Sequence, residues 1–174
     1  DSILISYKTL NKDNPKLNCR LKGLEKFSPK RIILDNKLNT STNSYLFKTA
    51  NKENTIFFYN EAHKSKILEF KKSKITLVKS NINNNKKFNP TIIFKKLYTL
   101  GCRNVLVEGG DELTKNFIRN RTFNQFFLFK GSKNLSKSFE FKEFSGLKIL
   151  KKNYKKRLKI QSNFGKDTIT LYKN

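Results

Sequence analysis

A short apolar strand that ends in a carboxylate and two glycines constrains the fold of this chain more than any other feature. Residues 105–110 read Val-Leu-Val-Glu-Gly-Gly, and the following segment, Asp111 to Asn120, has the pattern of a helix. Glycine lets the backbone approach a ligand closely, and the first N–H groups of a helix lack intrahelical partners. A phosphate group binds well at such a strand-to-helix turn. A plain structural turn with a solvated acid is the alternative, and this segment alone leaves both explanations open.

Strand and helix signals alternate along most of the chain before consecutive strands close it. We predict strands over Ile3–Ser6, Arg31–Leu34, Thr55–Tyr59, Ile75–Val78, Asn104–Val107, Gln125–Phe129 and Asp167–Tyr172, and an antiparallel strand within Leu147–Asn163. We predict helices over His63–Phe70, from Pro90 to the residue before Gly101, and over Asp111–Asn120. Asn11–Ser28 is predicted as a long loop, Asp35–Asn51 as an irregular connection and Ser80–Asn89 as a polar loop. This order predicts one α/β domain over residues 1–174, with a mixed, mostly parallel sheet and an antiparallel carboxyl-terminal edge.

The charge of the chain is extreme, with 38 Lys and Arg against 13 Asp and Glu and a net charge of +25. Such a charge favours nucleic acid or an anionic membrane as a partner. The basic residues are spread along the whole chain, and no nucleic-acid-binding signature is present. We therefore expect only sequence-independent binding to nucleic acid. Because no apolar run reaches membrane-spanning length, we expect no membrane association and a cytoplasmic location.

The residues that commonly bind metals are scarce. Cys19 and Cys102 lie far apart and form no Cys-x-x-Cys pair, and His63 is the only histidine. This pattern predicts reduced thiols and no metal site.

A second informative segment follows the first predicted strand. Thr9, Asp13, Asn14 and Pro15 have the chemistry of a polar turn, because Asp and Asn bond their own backbone and proline sets φ. Arg20 follows shortly after and is suited to a bidentate contact with phosphate.

Three segments in order resemble the C-terminal reductase half of the bifunctional riboflavin-biosynthesis deaminase–reductase family. They are Thr9 to Arg20 (Thr-Leu-Asn-Lys-Asp-Asn-Pro-Lys-Leu-Asn-Cys-Arg), Arg31 to Asn36 (Arg-Ile-Ile-Leu-Asp-Asn) and Leu106 to Gly110 (Leu-Val-Glu-Gly-Gly). Asn14 stands where the family has a second aspartate, and Asn36 where it has a serine. The resemblance implies a dihydrofolate-reductase-like fold with three α/β/α layers.

The resemblance also implies an activity, which is the NADPH-dependent reduction of 5-amino-6-(5-phosphoribosylamino)uracil to its ribitylamino product. It places Glu108 at the reacting centre, as a proton donor or a hydrogen-bond partner of the substrate. Leu17 and Arg20 would contact the substrate, with Arg20 near its phosphate. The residues implied to contact NADPH are Thr9, Asp13, Asn36, Gly110, Asp111, Glu112, Leu113, Thr114, Lys115 and Asn116.

The resemblance begins inside the family's reductase half. The family pattern starts earlier, with a strand that carries a lysine, a Ser-x-Asp-Gly turn and a helix, whereas this sequence begins at what resembles the second strand. We therefore expect a fragment whose first strand and helix, and a fused deaminase domain, lie upstream of Asp1. Family members also form dimers or tetramers, so the resemblance implies a homo-oligomer.

Two other functions compete with this one. The first is a reductase of the same fold that acts on another pterin or nucleotide-like substrate. The second is a basic nucleic-acid-binding protein built on a degenerate reductase fold.

Overall fold

The structure is a computed structural model that describes residues 1–132, 144–161 and 165–174. In chain order its elements are β1 (Ser2–Ser6), α1 (Tyr7–Asp13), a short 3₁₀ helix (Glu25–Phe27), β2 (Lys30–Leu34), α2 (Tyr45–Lys48), β3 (Thr55–Tyr59), α3 (Lys64–Lys72), β4 (Thr76–Lys79), α4 (Pro90–Thr99), β5 (Val105–Val107), α5 (Asp111–Arg119), β6 (Gln125–Lys130), α6 (Leu147–Asn153), β7 (Arg157–Ile160) and β8 (Thr168–Lys173). The chain divides into two compact units, Asp1–Leu113 and Thr114–Asn174.

The first unit contains a parallel sheet with the strand order β4-β3-β2-β1-β5. Its inner strands are apolar runs rather than alternating patterns, and Leu4, Ile5, Ile32, Ile33 and Phe57 are all completely buried. Continuous apolar runs are typical of parallel strands that are covered on both faces.

Helices pack against the first unit's sheet through side chains of alternate strand residues. Ile5, Ile33 and Phe57 form a core cluster that includes Leu10 of α1 and Phe70 of α3. The Phe70 ring meets the Phe57 ring edge-on, with 5.2 Å between centroids. This packing fixes the loops that follow the carboxyl ends of the strands.

The second unit contains an antiparallel sheet with the order β6-β8-β7. Its core consists of Ile118, Leu150, Tyr154 and Tyr172. The Tyr154 hydroxyl donates a hydrogen bond of 2.8 Å to the Ile118 carbonyl, so α5 and α6 share a buried polar contact.

The α/β class and the mostly parallel character of the sheet are confirmed. The antiparallel strands differ from the prediction, because they form a sheet of their own and not the edge of the parallel one. In the described residues β5 pairs with β1 and β6 pairs with β8. The prediction of one domain over the whole chain stays a prediction.

The predicted polar turn after β1 and the first part of the predicted loop from Asn11 to Ser28 are wrong. Thr9 and Asp13 both lie in α1, which begins directly after β1. The Ser6 side chain caps this helix by accepting from the Thr9 N–H, and Asn14 ends it in the left-handed conformation with φ 42°. Ser6, the last residue of β1, therefore serves as the N-cap of α1, and this cap favours a helix over a turn.

Two other predicted segments contain helices that were missed. The connection Asp35–Asn51 holds α2, capped by Ser44. The range Leu147–Asn163, in which we predicted a strand, begins with helix α6, and this helix buries Leu150. The antiparallel strand itself is β7, and residues 162 and 163 of the prediction lie outside the described residues.

The remaining predicted elements are confirmed, with ends that shift by one or two residues. In α4, Ile93 and Leu97 are completely buried, whereas Ile92 is 41% exposed. In α5, Phe117 and Ile118 are buried and Leu113 is half-buried.

Candidate functional site

The predicted site residues Thr9, Asn36 and Glu108 follow three neighbouring strands of the parallel sheet. The registers pair Ser6 of β1 with Leu34 of β2, and the Glu108 N–H donates to the Leu4 carbonyl at 2.9 Å. The carboxyl ends of β1, β2 and β5 therefore meet at one edge of the sheet. Open α/β sheets bind their ligands at this edge.

Glu108 lies directly beyond β5 and is exposed. Its carboxylate makes no hydrogen bond or ion pair with the described residues. It is therefore available to a ligand as an acceptor, or as a donor when it is protonated.

The two glycines after Glu108 serve different purposes. A Cβ at Gly109 would lie 2.6 Å from Leu113 Cδ2, so a side chain at this position would force Leu113 to move. A Cβ at Gly110 would meet no atom within 4 Å. The backbone of Gly110 therefore borders open space that is able to admit a phosphate group.

The start of α5 carries two carboxylates, Asp111 and Glu112. They suit the positive end of the helix dipole but repel a phosphate beside Gly110. Lys87, from the loop before α4, forms an ion pair with Glu112 and offsets one of these charges.

The other predicted cofactor residues of α5 follow this first turn. Leu113 belongs to the first compact unit, whereas Thr114, Lys115 and Asn116 belong to the second. Lys115 Nζ donates to Ser145 Oγ at 2.8 Å within the second unit.

The segment after β1 presents Thr9 and Asp13 on α1. Thr9 Oγ1 lies 3.1 Å from Ser6 Oγ, so its hydroxyl already has a partner at the strand end. Asp13 is the last residue of α1 and is exposed, without a hydrogen bond or ion pair in the described structure.

The end of β2 holds a buried carboxylate that was missed from the sequence. Asp35 is completely buried and accepts from the Asn39 N–H at 2.8 Å, the Thr40 N–H at 2.7 Å and the Thr40 hydroxyl at 2.8 Å. These three bonds fix the turn that carries Asn36. An acid directly beyond a buried strand was the available signal.

Asn36 has a buried side-chain oxygen that makes no hydrogen bond. Buried polar atoms in proteins are nearly always paired, so this acceptor is open to a water molecule or a ligand. The open space at Gly110 and this acceptor leave room for a phosphate-bearing ligand at this edge.

The predicted substrate residues lie in the segment between α1 and β2. Asn14 Oδ1 accepts from the Tyr45 N–H at 2.8 Å and so ties the end of α1 to α2. Leu17 has φ 48° and packs against the core cluster of the first unit. Arg20 is exposed and has no partner in the described residues, so its guanidinium donors are available.

The opposite edge of the sheet contains a buried guanidinium that makes five hydrogen bonds. Arg31 is 5% exposed and donates to Thr49 Oγ1 and O, Asn54 Oδ1 and Thr55 Oγ1, at distances from 2.7 to 3.1 Å. Burial lowers the pKa of Arg31, which a smaller interaction with Tyr45 opposes. Four protein oxygens therefore surround this guanidinium.

The second unit contains a basic cavity of about 410 Å³. Its cationic lining residues are Lys130, Lys151, Arg157 and Lys159, and no acidic residue of the described chain lines it. This cavity is consistent with non-specific attraction of polyanions.

The described residues contain neither a metal-binding cluster nor a helix suited to cross a membrane. No group of three or more His, Cys, Asp and Glu side chains is arranged to hold a metal ion there. No helix in those residues has the length and apolar character needed to cross a bilayer.

Comparison with known proteins identifies relatives over nearly the whole chain. The family model described as the RibD C-terminal domain matches residues 1–164. The riboflavin biosynthesis protein RibD of Aquifex aeolicus is 26% identical over 172 residues, which are 99% of this chain and 46% of that protein. The chain therefore spans less than half the length of this curated relative.

Solved structures show the same fold at low identity. RibD of Acinetobacter baumannii superimposes with a TM-score of 0.69 at 14% identity, over 99% of this chain and 46% of that chain. The riboflavin biosynthesis reductase of Saccharomyces cerevisiae gives 0.69 at 21% identity, over 99% and 75%. A Thermotoga maritima diaminohydroxyphosphoribosylaminopyrimidine deaminase/5-amino-6-(5-phosphoribosylamino)uracil reductase gives 0.67 at 22% identity, over 99% and 44%.

Proposed function

This chain belongs to the RibD C-terminal domain family, and from that premise we propose that it reduces 5-amino-6-(5-phosphoribosylamino)uracil to the ribitylamino product with NADPH. The observation that carries the proposal is the carboxyl edge of the parallel sheet. There the unpaired Glu108 carboxylate, the open backbone of Gly110 and the unpartnered Asn36 oxygen follow strands β5 and β2. The family match extends over both compact units, which supports a single reductase domain.

The reduction adds one hydride and one proton to the ribosyl group of the substrate. NADPH, when bound, supplies the hydride. Glu108 is the acidic residue of this chain placed to hold or deliver a proton at the strand end. A positioned carboxylic acid in this role contributes roughly a hundredfold or more to the rate.

The remaining residues bind and orient. Thr9, Asp13 and Asn36 contact the cofactor, and the first turns of α5, from Gly110 to Asn116, hold its pyrophosphate. Arg20 binds the substrate phosphate through its unpaired guanidinium, and Leu17 lies against the substrate.

We also propose the wider setting that the family implies. The natural protein carries a deaminase domain upstream of Asp1, forms a homo-oligomer and acts in the cytoplasm. The share of the Aquifex protein that this chain covers, 46%, leaves room for such a domain.

The test is an NADPH-oxidation assay on the natural gene product that contains this chain, with the deaminated pyrimidine as substrate. We expect Glu108→Gln to lower kcat by about a hundredfold or more, because the proton is then no longer held at the strand end. Glu53→Gln is the matched control. Glu53 is exposed before β3, at the opposite edge of the sheet, and the exchange should leave kcat unchanged.

Three results would overturn parts of the proposal. Turnover of dihydrofolate in place of the pyrimidine would reassign the substrate. Wild-type turnover by Glu108→Gln would remove Glu108 from the mechanism. An absence of NADPH oxidation, with tight nucleic-acid binding that persists at physiological salt, would favour the nucleic-acid-binding function.

A further inference from the structure

The basic cavity of the second unit lies on the face of the antiparallel sheet that α6 partly covers. Tyr172, Thr170 and Thr168 of β8 line it in turn, because alternate residues of a strand point to the same face. Tyr172 is 2% exposed and packs in the core with Leu150 of α6, whereas Thr170 is half-buried and Thr168 is exposed. The cavity is therefore the end of this face that the helix leaves open.

Basic side chains border this open end from three elements. The strand β7 contributes Arg157 and Lys159, β6 contributes Lys130, and α6 contributes Lys151. None of these four cations forms a hydrogen bond or an ion pair with the described residues. Because like charges held close together repel one another, the cluster costs free energy until an anion neutralises it.

The alternation of β7 is the reverse of the pattern that packing against a helix selects. Arg157 and Lys159 lie opposite residues of β8 that line the cavity, so they share the face that α6 partly covers. Leu158 and Ile160 point to the other face, where they are 55% and 36% exposed. Core packing alone would favour a register shifted by one residue, which exchanges the two sets. The observed register therefore keeps cations on the cavity side at the expense of apolar burial.

One carboxylate lies close to this cluster among the described residues of the second unit. Asp167 directly precedes β8, and its Oδ1 accepts from the Ser132 N–H at 2.8 Å. Asp167 does not line the cavity, and its single charge offsets only one of the four cations. The cavity therefore keeps an excess of positive charge.

The size and lining of the cavity favour a small chain of phosphates over nucleic acid. Its volume of about 410 Å³ lies within the range of small-molecule sites, roughly 300–1,000 Å³. Single-stranded nucleic acid stacks its bases on exposed aromatic rings, whereas Tyr172, the aromatic residue of the lining, is buried. Lys130 and Lys159 belong to strands roughly 10 Å apart, or two strand spacings, with β8 between them. Linked phosphates span this width better than one phosphate group.

We propose that this cavity binds a chain of linked phosphates, either the triphosphate of a nucleotide or an inorganic polyphosphate. The lysines contact the phosphates as point charges, and Arg157 forms a bidentate contact. The Thr170 hydroxyl, which makes no hydrogen bond with the described residues, donates to a phosphate oxygen between the two outer strands. The site lies within the second unit and does not depend on the proposed reductase activity.

The experiment is calorimetric titration of the natural gene product with tripolyphosphate, ATP and a single-stranded oligonucleotide at about 0.15 M salt. The site variant combines Lys151→Gln with Lys159→Gln, and we expect it to bind tripolyphosphate about thirtyfold more weakly. The control variant combines Lys148→Gln with Lys152→Gln, which makes the same change in net charge at exposed residues of α6 outside the lining. Its loss should be less than about threefold, because salt screens charges that do not contact the ligand.

Thr170→Val tests the hydrogen bond without a change in charge. It keeps nearly the same shape and removes only the hydroxyl, so we expect tripolyphosphate to bind about fivefold more weakly. The hydroxyl has no partner in the free protein's described residues, so the thermal midpoint without ligand should not fall. Unchanged affinity in Thr170→Val would overturn the role of this hydroxyl.

The other outcomes decide whether the cavity is a phosphate site. A loss confined to the site variant supports the proposal, and a comparison of ATP with tripolyphosphate then shows whether a nucleoside also binds. Equal losses in the site and control variants would overturn it, because net charge would then set the affinity. Tighter binding of the oligonucleotide, lost in the site variant, would assign the cavity to nucleic acid instead. Failure of the wild type to bind any of the three would reject the site and leave the reductase proposal untouched.

Discussion

The two edges of the parallel sheet differ in how completely their polar groups are paired. At the amino edge, Arg31 is enclosed by oxygen acceptors, Ser2 bonds Asn104, and Asp1 Oδ2 accepts from the Arg103 and Asn104 N–H groups at 2.8 and 3.1 Å. At the carboxyl edge, Asn36 and Ser80 each hold a buried oxygen without a partner.

This difference separates the polar groups that stabilise the fold, at the amino edge, from the polar groups that are left for a proposed ligand, at the carboxyl edge. A fully paired buried group stabilises the folded state, whereas an unpaired one costs about 1–3 kcal/mol until something binds it. Among the described residues, the buried side-chain oxygens without a partner lie at the carboxyl edge, which is the edge where α/β sheets bind ligands.

The largest expected effect belongs to the amino edge. Arg31→Met removes the guanidinium donors from the buried Thr49, Asn54 and Thr55 oxygens, and we expect the free energy of unfolding to fall by about 3 kcal/mol. Urea denaturation measures this change. NADP⁺ affinity, taken well below the midpoint, should stay at the wild-type value.

Arg103→Met is the control for this change, because Arg103 is exposed and its side chain contacts Tyr98 at the surface, through the carbonyl and the ring. Its effect should be under about 1 kcal/mol. If Arg31→Met lowered NADP⁺ affinity while stability held, the contrast between the edges would be broken.

A middle-sized effect comes from the second unit, which belongs to neither edge and serves as a reference. Burial raises the pKa of Tyr154 above 10.0, against a smaller lowering by Arg121. The folded state therefore favours the protonated phenol. This contribution to stability is complete below pH 10 and is lost as the pH rises through the folded pKa.

Tyr154→Phe should remove this alkaline loss and lower stability at neutral pH by about 1 kcal/mol, because the bond to Ile118 is absent. Denaturant titrations between neutral and alkaline pH measure both changes. An alkaline decline that persisted in Tyr154→Phe would show that another group causes it.

The smallest effect concerns the charge at the start of α5. Lys87→Gln removes the Lys87–Glu112 ion pair beside the proposed phosphate position, and we expect NADP⁺ affinity to fall about threefold, or ~0.6 kcal/mol. Lys52→Gln makes the same change in net charge at an exposed position of the loop before β3. Equal losses in the two variants would mean that net charge, and not the Lys87–Glu112 pair, sets the affinity.

Local signals in the sequence were sufficient for much of the fold and part of the site. Apolar runs without alternation identified the parallel strands, and Pro90 and Gly101 marked the limits of α4. Glu108, Gly109 and Gly110 stood out because an acid and two glycines end an apolar strand. Each of these features depends on a few neighbouring residues, so it could be predicted without knowledge of contacts between distant parts of the chain.

Some secondary-structure predictions were wrong because the local sequence pattern is compatible with two conformations. The polar stretch after β1 suits a turn, but Ser6 is positioned to cap a helix and Leu10 is buried in the core. The segment that forms α6 alternates enough to suggest a strand, but burial of Leu150 and Tyr154 against Ile118 favours a helix. Tertiary packing decided both cases.

The sequence by itself determined the strand-to-helix turn at Glu108, the buried strands and the family. Only the tertiary structure decided that Asn36 and Ser80 share one edge and that Asp35, Ser2 and Arg31 are paired while these two are not. Pairing between residues far apart in the chain depends on strand order and register. Those depend on how all the strands pack together, and no short segment of sequence contains that information.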